Sequence, residues 1–315
     1  MSAVAATAAL TLGGAVAAQA DDVPATIPAG QTLYGIEYQQ NGGDLTSQLV
    51  TIDATGAVRL VGELEQNYRA WAADWDPTTG TAYFFDDVDG CLLYSLDLAT
   101  ATETLVGEML GIAECDGLDI DADGVLRILE EGGVLHVVNK TTAAVESTHT
   151  ISWEGGDAYD LASLATAADG RMVVSDYADN VFLIDSTTWA ATRIDEATTV
   201  TETSDFDATG RLWSVGYVEE DSCVATLSSA DVSDAELGFA MQGPTLRGDT
   251  CSAAWAIFFV DEPTPEVPAA PVPATPALAE TGIELNAVGA ASAALLLAGL
   301  LLVVVRRRSA GTPQR

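Results

Sequence analysis

Short runs in which apolar and polar residues alternate recur between residues 28 and 260. Each run reaches a polar turn residue, passes through a few small polar residues and is followed by a second alternating run. The turn residues are 42 to 46 positions apart, at Asp53, Asp97, Asn139, Asp185 and Ser228. A period of about 40 to 45 residues built from short strands is typical of a β-propeller, in which each blade buries its faces only against its neighbours.

A second set of turns indicates the other hairpin of each repeat. An acid-rich turn ends in glycine before an apolar strand at Gly80, Gly124, Gly170 and Gly210, and Gly30 has the equivalent place in the first repeat. Glycine adopts the positive φ that such turns need. The first repeat lacks an inner strand, whereas the run at 251–260 has no successor. We therefore predict an all-β fold at residues 28–260, a five-bladed β-propeller whose C-terminal strand completes the first blade. The pattern resembles the broad WD- and NHL-type propeller superfamilies, which implies a fold but no function.

A different composition begins after the repeats. Proline recurs every two to four positions in residues 261–277, which favours extended polyproline II and predicts a linker. Residues 287–305 are apolar and uncharged, a length that nearly crosses a bilayer core as a transmembrane helix, and Arg306, Arg307 and Arg308 follow it. A plain C-terminal membrane anchor would contain the same helix and the same basic residues.

A short polar motif stands before this apolar stretch and consists of Leu278, Ala279, Glu280, Thr281 and Gly282. With the helix and the basic residues, it makes residues 278–315 resemble the LPXTG-type sorting signal of Gram-positive surface proteins, in the LAXTG variant used by class E sortases of actinobacteria. The resemblance implies that a sortase cuts between Thr281 and Gly282. The Thr281 carbonyl would then be joined to an amine of the cell-wall peptidoglycan, and the helix would belong only to the precursor.

The N-terminal segment also indicates export. Residues 1–20 are uncharged and rich in alanine, and they end in Ala18, Gln19 and Ala20, the pattern of a signal-peptide cleavage site. A basic region before the apolar part is missing, so we expect the true start codon to lie upstream. The predicted localisation is the cell wall, reached through a membrane-anchored precursor.

The charge of the chain and its cysteines narrow the partners and the redox state. The sequence has 47 Asp and Glu against 12 Lys and Arg, a formal net charge of −35. Such a surface repels nucleic acid and anionic membranes, which excludes both as partners.

Four cysteines in an exported chain are expected to be oxidised. The repeat pairs them as Cys91 with Cys115 and Cys223 with Cys251.

One turn has the spacing of a calcium-binding loop, with Asp119, Asp121, Asp123, Gly124 and Glu130 in the pattern D-x-D-x-D-G-x5-E. An EF-hand needs flanking helices, whereas a strand is predicted directly after this turn. The same D-x-D turn recurs in two other repeats, so the pattern belongs to the hairpin. Calcium on Asp119, Asp121 and Asp123 remains an alternative, and no other cofactor is predicted.

The loops that precede the inner strands are predicted to share one mouth of the central channel. Asp116, Asp160 and Glu202 lie in these loops and are the catalytic candidates, because five-bladed propellers include glycoside hydrolases, which need two carboxyl groups. The alternative is that so acidic a chain places acids in any loop. Four tryptophans are candidates either for stacking on sugars or for the blade core: Trp71, Trp75, Trp153 and Trp255.

The predicted function is binding or adhesion at the cell surface, with a carbohydrate or protein ligand at the channel mouth. One alternative is a wall-displayed polysaccharide hydrolase that uses the mouth carboxylates, and another is a structural surface protein without a small ligand. Carboxylates paired across the channel would favour the hydrolase, whereas scattered ones would favour the binding protein, which is the preferred interpretation.

Overall fold

A computed structural model describes residues 25–41, 44–65, 70–86, 90–154, 161–178, 180–196, 200–217, 225–232, 240–244 and 252–262. This part of the chain forms strands and turns. It contains no helix long and apolar enough to span a bilayer. The predicted signal peptide, the sorting signal and nearly all of the linker lie outside the described residues.

Five sheets account for the strands. The first blade contains β1 (Gln31–Asn41), β2 (Asp44–Ile52) and β3 (Val58–Glu63), and the second contains β4 (Ala73–Asp76), β5 (Thr81–Asp86), β6 (Leu92–Asp97) and β7 (Thr102–Glu108). The third consists of β8 (Cys115–Ile120), β9 (Leu126–Glu130), β10 (Val134–Val138) and β11 (Val145–Thr150). The fourth consists of β12 (Ser152–Glu154), β13 (Leu161–Thr166), β14 (Met172–Asp176), β15 (Asn180–Asp185) and β16 (Ala190–Glu196). The fifth consists of β17 (Val200–Phe206), β18 (Arg211–Tyr217), β19 (Ala225–Asp231) and β20 (Ala240–Pro244), and β21 (Ser252–Asp261) is the last strand.

The last strand closes the ring as predicted. β21 pairs antiparallel with β1, from Gln31 opposite Asp261 to Gln39 opposite Ser252, so the first blade has the order β21-β1-β2-β3. The innermost strands are therefore β21, β4, β8, β13 and β17, and each contacts the next around the ring. The five-bladed propeller is thus confirmed. The short strand β12 was not predicted, and it pairs parallel with β16 at the outer edge of the fourth blade.

The hydrophobic core lies in layers between neighbouring blades. Phe84 and Phe85 are adjacent on β5 and completely buried, yet they belong to two different layers. Phe84 packs with Leu49 of the first blade, whereas Phe85 packs with Ile128 of the third. Both faces of the strand are therefore covered, so each blade depends on two neighbours for its burial.

Buried aspartates connect consecutive blades along the channel. Asp74 Oδ2 accepts the Ile120 N–H at 2.5 Å, and Asp119 Oδ1 accepts the Thr166 N–H at 2.6 Å. In the same way, Asp205 Oδ2 accepts the N–H of Phe259 on the closing strand at 2.6 Å. The three side chains are 7%, 2% and 9% exposed, respectively. These carboxyl groups therefore join the second blade to the third, the third to the fourth and the fifth to the first.

Candidate functional site: the channel mouth

The two ends of the channel differ in what surrounds them. The first residues of β8 and β13 border a cavity of about 280 Å³ at one end, which we call the channel mouth. The last residues of the innermost strands surround a cavity of about 190 Å³ at the opposite end. The mouth is lined by Trp71, Glu114, Cys115, Asp116, Glu131, Leu161 and Tyr177. It therefore combines aromatic rings with acidic side chains.

Tyr177 is held at the mouth by the turn between β14 and β15. The buried Asp176 carboxylate accepts the N–H groups of Ala178 and Asn180 at 3.0 and 2.9 Å, which fixes this turn. The Tyr177 hydroxyl donates to Glu202 Oε2 on β17 at 3.1 Å. Tyr177 thus connects the cavity with a carboxyl group of the fifth blade.

The surroundings of Glu202 raise the pKa of its carboxyl group. Burial raises the pKa of Glu202 to about 7, since it disfavours the charged form more than the Tyr177 hydrogen bond favours it. A carboxyl group that retains a proton near neutral pH is able to act as a general acid. Glu202 is therefore the described side chain near the mouth that best fits proton donation.

Two acidic side chains contact each other on the rim of the mouth. The protonated carboxyl of Glu131 is favoured by a hydrogen bond that it donates to the Glu114 carboxylate and by the charge of Glu114, and both raise the pKa of Glu131. The backbones also meet, because the Glu131 N–H donates to the Glu114 carbonyl at 3.3 Å. Both side chains are exposed. Two groups of like charge are therefore held together at an open surface, where they attract cations.

The segment that carries Glu114 and Asp116 is fixed from two sides. A disulfide joins Cys91 to Cys115, with the Cα atoms 5.9 Å apart, as the repeat predicted. Glu130 Oε1 accepts the Ala113 N–H at 2.8 Å, and Glu130 Oε2 contacts His136 Nε2 at 2.8 Å. Both neighbours of Glu114 are therefore held in place, which fixes the backbone of this part of the rim.

The structure brings together two of the three catalytic candidates. Asp116 lines the mouth, and Glu202 adjoins it through Tyr177. Asp160 lies outside the described residues, as do Cys223 and Cys251 of the second predicted disulfide. Tyr177 and Glu131 were not predicted, because they come from turns after the second strand of their blades. The acidic and aromatic composition of those turns was the signal that could have indicated them.

The calcium hypothesis gains no support from the geometry of its turn. Arg127 Nη2 donates to Asp121 Oδ2 at 2.6 Å, and Arg127 Nη1 lies 3.7 Å from Asp119 Oδ2. A guanidinium group therefore neutralises the carboxylates that would bind the metal. Asp123 is exposed. Among the described residues, no three potential ligands have an arrangement that would hold a metal ion.

The tryptophans considered for sugar binding lie in different places. Trp71 lines the mouth, whereas Trp75 lines the cavity at the opposite end. Trp153 packs edge-on against Phe182, with ring centroids 4.9 Å apart, and belongs to the core. The side chain of Trp255 is not described.

These features define a five-bladed β-propeller with an acidic and aromatic channel mouth. No family model matches the chain, and no curated protein matches it significantly. Among solved structures, it is similar to glutaminyl cyclase from Myxococcus xanthus, with 15% identity and a TM-score of 0.45 over 66% of this chain and 97% of that one.

Two further structures show the range of proteins with this likeness. A Bacteroides thetaiotaomicron protein of unknown function matches with 12% identity and a TM-score of 0.45, over 65% of this chain and 58% of that one. Hydrazine synthase from Kuenenia stuttgartiensis matches with 13% identity and a TM-score of 0.41, over 55% of this chain and 49% of that one. The chain thus spans about half the length of the hydrazine synthase chain. At such identities the likeness concerns the fold, and it carries no argument about function.

Proposed function

We propose that this protein is a cell-wall-displayed β-propeller that binds a carbohydrate at its channel mouth. The observation that carries the proposal is the cavity lined by Trp71 and Tyr177 together with acidic side chains. Aromatic rings pack against the apolar faces of sugars, and carboxylates accept hydrogen bonds from hydroxyl groups. The cavity of about 280 Å³ lies just below the range of about 300–1,000 Å³ for pockets of drug-sized ligands, so it suits one sugar unit of a longer chain.

Trp71→Ala is expected to weaken binding of the recognised polysaccharide at least tenfold, because truncation of a central aromatic side chain costs about 2 kcal/mol or more. The full-length chain, purified in mild detergent, would be screened against a panel of polysaccharides, and affinities would be measured by titration calorimetry. Trp75→Ala is the matched control, because Trp75 is half-buried like Trp71 but lines the opposite cavity. Circular dichroism would check that both variants fold.

Two results would contradict carbohydrate binding at the mouth. If Trp71→Ala and Trp75→Ala lost affinity equally, the ligand would bind outside the mouth, or the loss would come from a general destabilisation of the fold. Binding of no polysaccharide would reject the carbohydrate and direct the search to protein partners.

A polysaccharide hydrolase is the second candidate, and Glu202 favours it. Its raised pKa of about 7 suits a proton donor, and Asp116 at the same mouth supplies a second carboxyl group. The screen would therefore record new reducing ends together with binding. In a hydrolase, Glu202→Gln would abolish the new reducing ends, and activity would fall above about pH 7 as the acid ionises. Binding without new reducing ends would reject the enzyme.

Attachment to the cell wall is supported by the order of polar motif, apolar stretch and basic residues in residues 278–315. We expect enzymatic digestion of the wall to release a form that ends at Thr281, and mass spectrometry would identify this C-terminus. Thr281→Ala should abolish the release, whereas Thr275→Ala in the linker should not. Recovery of peptides from residues 287–305 in the released form would contradict sorting and indicate a plain membrane anchor.

A further inference from the structure

The described lining of the mouth is acidic, and this bears on the kind of sugar that would bind there. Three of the described lining residues are acidic, and none is basic. Two aromatic side chains, Trp71 and Tyr177, line the same cavity. Aromatic rings beside carboxylates form the environment that stabilises organic ammonium ions, through attraction to the ring faces and through charge.

The contact between Glu114 and Glu131 points to where a positive group would lie. Both side chains line the same cavity, and the Glu131 N–H donates to the Glu114 carbonyl at 3.3 Å. The neighbouring Glu114 raises the pKa of Glu131. An ammonium ion offers three N–H donors and relieves the repulsion between two carboxylates. A neutral hydroxyl or acetamido group supplies donors but no charge. Such a rim would therefore favour a charged amine over its neutral counterparts.

The fixed backbone strengthens this selection. The Cys91–Cys115 disulfide and the Glu130 bond to Ala113 hold the two neighbours of Glu114. The backbone that carries Glu114 is consequently fixed before a ligand arrives, so no free energy is lost in ordering this segment on binding.

We propose that the channel mouth selects a sugar unit with a free, protonated amine. Its ammonium group lies between Glu114 and Glu131, and its ring packs against Trp71. The inference rests on the carbohydrate-binding function proposed above and specifies its ligand as a chain of amino sugars that lack N-acetyl groups. N-Acetylation removes the charge, so it removes the interaction that this rim provides.

The test compares two ligands that differ in the amine alone, the trimer of glucosamine and the trimer of N-acetylglucosamine. With the full-length chain at pH 6 and low salt, the glucosamine trimer should bind at least tenfold more tightly by titration calorimetry. This preference should decrease as salt is added, because an exposed ion contact is screened. Glu131→Gln should reduce the preference at least threefold. Asp123→Asn is the matched control, since it removes one exposed charge from the turn between β8 and β9.

The outcomes separate this inference from the function on which it rests. Equal affinity for both trimers, weakened by Trp71→Ala, would overturn the ammonium inference and leave carbohydrate binding intact. Equal effects of Glu131→Gln and Asp123→Asn would also overturn it, because the attraction would then come from the overall charge. Trilysine has three side-chain amines, as many amines as the glucosamine trimer. Tighter binding of trilysine than of that trimer would show that the mouth recognises amines without the sugar ring, which would contradict a sugar ligand. Binding of neither trimer nor any other polysaccharide would reject both proposals.

Discussion

Gly124→Ala is expected to lower the free energy of unfolding by about 2–5 kcal/mol. Gly124 has a φ of 78°, a conformation that costs a residue with a Cβ atom about 1–2 kcal/mol. A Cβ atom there would also lie 2.8 Å from Lys140 Nζ and 2.9 Å from Asp76 Oδ1. Both groups would have to move, and such overpacking costs about 1–3 kcal/mol. Denaturant unfolding followed by tryptophan fluorescence would measure the loss.

Gly170 provides a matched control in the fourth blade. It occupies the equivalent turn with a φ of 87°, but a Cβ atom there would meet nothing within 4 Å. Gly170→Ala should therefore lower the free energy of unfolding only by the cost of the positive φ, about 1–2 kcal/mol. The difference between the two variants measures the packing of Gly124 against its neighbours. Equal losses of unfolding free energy in the two variants would contradict the prediction, because the neighbours of Gly124 would then move aside at no cost in stability.

Gly124 is crowded because a buried ion pair joins the second and third blades there. Asp76 is completely buried, and Lys140, from the turn between β10 and β11, donates to its Oδ2. The hydroxyls of Thr78 and Thr79 donate to the same carboxylate at 2.6 Å each. Burial acts to raise the pKa of Asp76, but these hydrogen bonds outweigh it and lower the pKa to about 2. The ion pair is therefore compensated and holds two blades together.

The fold was predictable because its turns are local and repeat. In the fifth blade, Asp207 accepts the N–H groups of Thr209 and Arg211, so the second aspartate of the D-x-D pattern fixes its own hairpin. Contacts between residues so close in sequence leave a periodic trace, which indicated the blades and the closing strand. β12 leaves no such trace, because a three-residue strand at one outer edge has no counterpart in the other described blades.

The candidate site was harder to predict because its contacts join distant residues. Asp116 and Glu202 followed from the rule that the loops before inner strands share one mouth. The hydrogen bond from Tyr177 to Glu202 joins residues 25 positions apart. It depends on how two blades are oriented relative to each other, and the order of residues along the chain does not determine this orientation. Contacts between distant residues also bear on the calcium hypothesis, because the sequence does not reveal the partner of Asp119. The sequence shows Asp119 as one acid of a turn, whereas the structure directs its carboxylate to the N–H of Thr166 in the next blade.

The three aspartates that connect the blades have raised pKa values, and burial is the largest cause in each. The pKa rises to about 6 for Asp119 and to about 8 for Asp205, and that of Asp74 lies well above its usual range. The charge of Asp119 raises the pKa of the other two. Of the surrounding groups, Arg127 lowers the pKa of Asp119, whereas Asp207 raises that of Asp205. The folded ring therefore favours the protonated forms.

We expect the free energy of unfolding to decrease as the pH rises from 5 to 9. A carboxyl group whose pKa is raised by folding stabilises the fold fully below its unfolded pKa, and this contribution is lost as the pH rises through the folded value. Exposed carboxyl groups have finished titrating by about pH 6, so the decrease above that pH comes from the raised groups. Glu202 acts in the same direction, since its pKa is about 7. Denaturant unfolding at constant ionic strength would measure the slope.

Asp205→Asn should flatten this slope above pH 7, because the amide does not ionise but still offers one oxygen to the Phe259 N–H. Asp123→Asn removes an exposed charge and should leave the slope unchanged. A stability that rises between pH 6 and 9, or a slope that Asp205→Asn does not change, would contradict the assignment. The result bears on the fold itself: Asp205 bonds to the closing strand, so its ionisation at high pH brings a buried negative charge to the contact that closes the ring.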